Sequence, residues 1–273
     1  MERKVNPSPA DWVIRSATPG RVERIEAWFG GHGYDPHRHD TYSIGRTLAG
    51  VQSFHYKGAL CHGVPGNTLV LHPDEVHDGM AGTDIGFRYR MAYIDPSLIQ
   101  SVLGGEPLPF IGGGLSSDPR LYRASEAFVQ AMEHPLETLE EQDAVYDLAM
   151  ALRAVGGKSR GRKRLDYRSA ERARAFIMEH LDHGITLEML EQASGREQWS
   201  LSRDFRALYG TSPYRFVTLR RLDCFRRLIL DGFTLVDAAL AAGFHDQSHM
   251  TRHFTRAYGV PPLRWLERLR PAR

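Results

Sequence analysis

At 273 residues the chain is longer than one hydrophobic core usually organises, so two domains are expected. A hydrophobic content of 42% with 25% charged residues excludes a long disordered or low-complexity chain. The net charge of +2 hides an asymmetry, because 13 Lys+Arg face 20 Asp+Glu before Gly156 and 22 face 13 after it; a basic second half suits a polyanionic partner, the plainer alternative being a solvated surface.

In chain order, Met1–Ala10 is polar with no apolar core, and no run of about 18 apolar residues follows, so neither an export signal nor a membrane span is expected. Cys61 and Cys224 stand alone without CxxC spacing, which suits a reducing compartment, the cytoplasm by default. Trp12 to Ile94 reads as short alternating runs between turn residues, as in Thr68–Leu71 between Pro65-Gly66-Asn67 and Pro73-Asp74, and predicts a compact β domain. From Pro119 to Val155 the spacing becomes helical. Val145, Leu148, Ala149, Leu152 and Val155 form a stripe suited to packing on the β domain or to pairing with a second copy, so a homodimer is expected. No Walker loop, GxSxG elbow or HExxH pattern occurs, and Gly112-Gly113-Gly114 reads as loop, so no enzyme is expected.

Residues 156–165 are glycine-rich and basic without periodicity, and predict a flexible linker between domain 1–155 and domain 166–273. The second domain reads as all-α and repeats itself. Thr186-Leu187, Ala193 and Gly195 recur 48 residues later as Thr234-Leu235, Ala241 and Gly243; Phe205, Tyr209, Gly210 and Pro213 recur 49 residues later as Phe254, Tyr258, Gly259 and Pro262. Each copy reads as two helices about a tight turn, with Thr186 and Thr234 as N-caps and Gly195 and Gly243 ending the first helix. In the next helix Leu201, Phe205 and Leu208, and again Met250, Phe254 and Ala257, fall on one face, leaving Trp199, Ser202, Arg203 and Arg206, and Gln247, Ser248, His249 and Arg252, on the other.

Over Ile185 to Leu266, and above all in Gly243 to Phe254 followed by Gly259-Val260-Pro261-Pro262, the sequence resembles the AraC/XylS family of bacterial transcription regulators. The resemblance implies two homeodomain-like helix-turn-helix units sharing a helix from about Pro213 to Leu230. Glu197–Tyr209 and Asp246–Tyr258 would enter successive major-groove segments of double-stranded DNA. Trp199, Ser202, Arg203, Gln247, Ser248, His249 and Arg252 are then the base-contact candidates, and Arg206, Arg215, Arg256 and Arg264 the phosphate contacts. Where such a regulator activates, RNA polymerase is a further partner.

His32 to His77 looks like a cupin, a small double-sheet β barrel, through Gly33, Pro36-His37-Arg38-His39, Gly50, Pro65-Gly66-Asn67 and His72 to His77. The expected fold class is therefore α+β: a cupin-like barrel with trailing helices, then the all-α tandem domain. Cupin enzymes hold a divalent metal on an HxH pair, a glutamate and a later histidine. His37, His39 and His77 would supply three ligands, but Asp40-Thr41-Tyr42-Ser43-Ile44 stands where the glutamate belongs. The preferred reading is thus an effector pocket without a cofactor, lined by Tyr42, Arg46, Phe54, His72 and His77, with a metal-dependent cupin enzyme fused to a DNA-binding domain as the alternative.

Overall fold

The structure, a computed structural model, describes residues 11–16, 22–130, 132, 136–156 and 165–270. Met1–Ala10 and most of the expected linker lie outside them.

Branched and aromatic residues separated by turns form the first domain. Its strands are β1 (Trp12–Arg15), β2 (Val22–Phe29), β3 (His32–His37), β4 (Tyr42–Gly50), β5 (Gln52–Tyr56), β6 (Ala59–Gly63), β7 (Thr68–Leu71), β8 (His77–Ala81) and β9 (Phe87–Ile94). Helix α1 (Pro96–Leu103) follows, then a short 3-10 turn at Gly112–Gly114, β10 (Leu115–Ser116), α2 (Pro119–Ala124), α3 (Glu126–Gln130) and α4 (Thr138–Gly156). One sheet runs β10-β7-β4-β9-β2-β1 and the other β3-β8-β5-β6. The aromatic core between them holds Phe29, Phe54, Tyr56, Phe87 and Tyr89.

The outer face of the larger sheet packs on the helices. Tyr42, Ile44 and Val70 join Leu148, Ala149 and Leu152 in a second core, so the apolar stripe of α4 is spent on packing. The second domain contains α5 (Tyr167–Glu179), α6 (Leu187–Ser194), α7 (Gln198–Tyr209), α8 (Pro213–Leu230), α9 (Leu235–Ala241), α10 (Gln247–Tyr258) and α11 (Pro262–Arg268). It has two cores: Phe205 and Leu208 pack with Ile177 and Phe216, while Phe254 and Met250 pack with Phe225 and Ala239. The shared helix α8 contributes to both.

The second domain is not wholly α. Strand β11 (Leu269–Arg270) pairs in parallel with β1, Val13 opposite Leu269, completing the seven-stranded sheet of the first domain. An edge strand with unpaired N–H and C=O groups offers such a seat to any extended segment that reaches it. Among the described residues no helix is long and apolar enough to cross a membrane.

Candidate DNA interface and the pocket behind it

Local chemistry sets α7 and α10, the two helices expected to read DNA. Thr186 Oγ1 accepts from Met189 N–H and Thr234 Oγ1 from Asp237 N–H, starting α6 and α9. Gly195 ends α6 at φ +66°, and after α9 the turn passes through Gly243 at φ +83°, a backbone conformation that side chains resist. The N-caps of the reading helices are acidic: Glu197 accepts from Trp199 and Ser200 N–H, and Asp246 from His249 N–H.

Trp199, Arg203 and Arg206 are exposed on α7, as are Ser248, Arg252 and Arg256 on α10, and Arg264 on α11. Trp199 is 74% exposed, a large apolar surface that no neighbour covers. Gln247 is half-buried at the first turn of α10. Three expected contacts are placed otherwise. Ser202 is buried, its Oγ accepting from Arg206 at 2.7 Å, because it flanks the core residue Leu201. His249 is half-buried and its Nε2 meets His253 Nε2 at 2.9 Å. Arg215 is not free for phosphate: it pairs with Asp74 of the first domain at 2.8 Å. A residue that periodicity did not reveal is Asp204, wholly buried, which holds Arg196 at 2.9 Å and the guanidinium of Arg203 at 3.1 Å.

The five expected effector residues divide. Tyr42 turns to the helical layer and donates to Pro109 O at 2.6 Å. Arg46 pairs with Glu126 and donates to Tyr122 O, also among the helices. Phe54 is closed into the barrel core. His72 is buried; its Nε2 accepts from Ile111 N–H at 2.8 Å, so Nδ1 carries the proton and donates to the Tyr56 oxygen at 2.6 Å. Burial holds His72 down to about 3. Only His77 lines the cavity, and on β4 the pocket is met by Ser43, one position out of phase with Tyr42.

That cavity, about 1050 Å³, opens between the barrel interior and the second domain. Val13, Ile25, Leu71, Phe87 and Met91 make an apolar wall; α8, Tyr258 and Trp265 close the other side. Its rim carries ion pairs between domains. Arg220 donates to both oxygens of Asp40 at 2.7 and 2.9 Å and reaches Asp95 at 3.5 Å; Arg226 donates to both oxygens of Glu23 at 2.9 and 2.8 Å. Burial raises Asp40 to about 7 in spite of Arg220. At one edge stand His37, His39 and His77, whose ligand atoms all lie within 4.8 Å of one another. Burial, then the neighbouring imidazoles, keep His39 at about 3 and His77 well below the usual histidine range; burial likewise lowers His37.

The first domain also grips the C-terminal end of each reading helix in the same way. Leu108 N–H donates to Ala207 O of α7 at 3.0 Å, and Arg38 N–H to Arg256 O of α10 at 3.2 Å. Last-turn carbonyls have no partner within their own helix, so these bonds satisfy groups that otherwise need water. Each helix then ends in a glycine against the first domain: a Cβ on Gly210 would stand 2.4 Å from Pro73 Cβ, and one on Gly259 would stand 2.8 Å from Asp35 O.

Residues 19–149 match the model of the AraC-like ligand binding domain, and residues 190–268 match a helix-turn-helix domain. An HTH-type transcriptional regulator of Bacillus subtilis, YbfI, is 24% identical over 226 residues, covering 78% of this chain and 80% of that protein. The virulence regulon transcriptional activator VirF of Yersinia enterocolitica is 31% identical over 101 residues, and the chain spans only 37% of its length. Among solved structures, ToxT of Vibrio cholerae superposes with a TM-score of 0.65 over 91% of this chain and 98% of its own at 11% identity, a likeness of fold; another ToxT structure is described as bound to an unsaturated fatty acid.

Proposed function

The chain belongs to the AraC/XylS family of DNA-binding transcription regulators with a ligand-binding domain, and on that premise we propose that a small effector in the pocket between the domains sets how the two reading helices are presented to DNA. The observation that carries the proposal is the paired grip: the first domain holds one last-turn carbonyl on each of α7 and α10. The spacing of two helices in successive major-groove segments must match one helical turn of DNA, so whatever shifts the β domain changes both contacts together.

The pocket is suited to an amphipathic effector. Its wall is apolar and aromatic while its rim carries arginine–carboxylate pairs that a charged ligand end would have to enter. A molecule of the kind named with ToxT, an unsaturated fatty acid, has that character. Trp199 and Arg203 on α7 and Gln247, Ser248 and Arg252 on α10 are the proposed base contacts, with Arg206, Arg256 and Arg264 on phosphate, and without Ser202, His249 or Arg215. In the cell the proposed unit is a cytoplasmic homodimer that meets RNA polymerase where it activates, and the proposal assigns it no catalysis.

Genome-wide mapping of bound sites tests this, because genes beside them point to candidate effectors. Operator affinity measured with and without those compounds should differ by about 5- to 150-fold, the usual range of coupling between sites. An affinity that responds to none of them would reduce the first domain to a dimerisation or polymerase-contact module.

A further inference from the structure

We propose that His37, His39 and His77 form a site for a divalent first-row transition metal, and that its occupancy is felt at the C-terminal turn of α10. The three rings converge from the end of β3, the loop after it and the start of β8, with His37 and His77 as paired residues of adjacent strands. Ring centroids are 4.4 Å apart for His37–His77, 4.9 Å for His39–His77 and 6.0 Å for His37–His39.

The hydrogen bonds fix which nitrogen faces inward. Each Nδ1 lies on a backbone carbonyl: His37 on Asp35 O at 2.8 Å, His39 on Thr41 O at 3.0 Å, His77 on Glu75 O at 2.9 Å. A carbonyl only accepts, so each Nδ1 carries the proton and each Nε2 keeps its lone pair. This is the outer-shell arrangement that orients metal-bound histidines. Among the described residues the Nε2 atoms of His37 and His77 have no hydrogen-bond partner, while His39 Nε2 is met by Ser43 Oγ at 2.9 Å, a bond the metal would displace. A merely structural cluster explains the three Nδ1 bonds but leaves the Nε2 lone pairs of His37 and His77 without a partner at the edge of a cavity. Three neutral imidazoles with no carboxylate among them suit zinc and its first-row neighbours, and the cavity leaves the remaining coordination positions open.

The spacing also implies a motion. Nitrogens around a tetrahedral metal at about 2.0–2.1 Å stand about 3.4 Å apart, whereas these ligand atoms lie within 4.8 Å. Each ring therefore closes inward by under about 1 Å when a metal enters. His37 lies against α10 through two close approaches. Arg38 N–H, the next residue, holds Arg256 O, and a Cβ on Gly259 would stand 3.1 Å from His37 Nδ1. This coupling rests on the grip proposed above, whereas metal uptake does not.

The test uses full-length protein stripped with a chelator and titrated with Zn²⁺ by calorimetry and with Co²⁺ by visible absorption. One equivalent should bind, with the d–d bands of a low-coordinate Co²⁺ site. His37→Ala and His77→Ala should each weaken uptake by more than about tenfold, since even losing a group that hydrogen-bonds a ligand costs that much. Circular dichroism melts check that each variant folds, and the partly exposed His37 offers His37→Gln as a milder second variant. The double variant His249→Ala/His253→Ala, which removes the other close histidine pair, should bind as the parent does. Metal loading should change hydrogen exchange of amides 255–259 by about fivefold or more, the lower end of ordinary coupling. No uptake of either metal, or uptake unchanged in folded His37 and His77 variants, overturns the site; uptake with unchanged exchange at 255–259 overturns the coupling.

Discussion

Replacing Arg220 with methionine strikes a buried ion pair between the domains. Asp40 is 4% exposed and Arg220 15%, and two bonds of 2.7 and 2.9 Å join them. Removing one member of such a pair costs about 3–5 kcal/mol, because the other is left as an uncompensated buried charge. The lower end applies, since Asp40 already sits at about 7 and escapes part of the penalty by taking a proton. Asp40→Asn should cost only about 1.5 kcal/mol, the scale of one charged hydrogen bond, as Arg220 keeps Asp95 at 3.5 Å and Asp223 at 3.2 Å. The double variant Asp40→Asn/Arg220→Met removes both partners and should lose no more than about 1.5 kcal/mol, well short of the sum near 4.5. Urea unfolding followed by tryptophan fluorescence, to which Trp265 at this interface contributes, reads all three. Equal loss in Arg220→Met and the double variant, or simple additivity, would refute the assignment of this pair as the domain lock.

Gly195 and Gly259 share a left-handed backbone, φ +66° and +68°, but the nearest atom to a Cβ is 3.8 Å away at Gly195 and 2.8 Å away at Gly259. Gly195→Ala should therefore cost only the backbone term of about 1–2 kcal/mol, and Gly259→Ala more, with faster exchange of the Arg38 amide; equal effects would show that the close approach carries nothing. His72 titrates at about 3 in the fold against about 6.5 when unfolded, so its contribution is complete above pH 6.5 and is lost as pH falls towards 3. The loss is about 1.4 kcal/mol per pH unit, near 2 kcal/mol at pH 5, and a Tyr56→Phe/His72→Phe variant in urea melts at pH 7 and 5 should lack that share. On the DNA side, Arg203→Ala and Arg252→Ala should each cost about 1–3 kcal/mol against the cognate site and relax base preference. Ser202→Ala, acting on a buried hydroxyl, should leave base preference unchanged in a competition binding assay.

The helix-turn-helix half was legible because its signals are local, threonine caps and glycine turns set in a repeat, while the extent of α8, Pro213–Leu230, came from the family resemblance. Errors there came from positions flanking the core. Ser202 follows Leu201 and His249 precedes Met250, so a rotation of a fraction of a turn decides between groove and core. The β domain was legible in class but not in facing. From Tyr42 to Thr47 every residue of β4 is buried, one side against helices and the other in the barrel, so no alternation marks the pocket side, and choosing the wrong parity moved Tyr42 and Arg46 out of it together. The interface was not legible at all. Arg220 and Asp40 are 180 residues apart, and no periodicity on either element reports the other.

Footprinting of the full-length protein on a selected operator, at base-pair resolution, bears most directly on the account. It should show two protected major-groove segments about one helical turn apart on one face of the DNA, with Arg203→Ala losing one segment and Arg252→Ala the other. A single protected segment, or uniform weakening of both by either variant, would contradict the reading of α7 and α10 as two separate recognition helices.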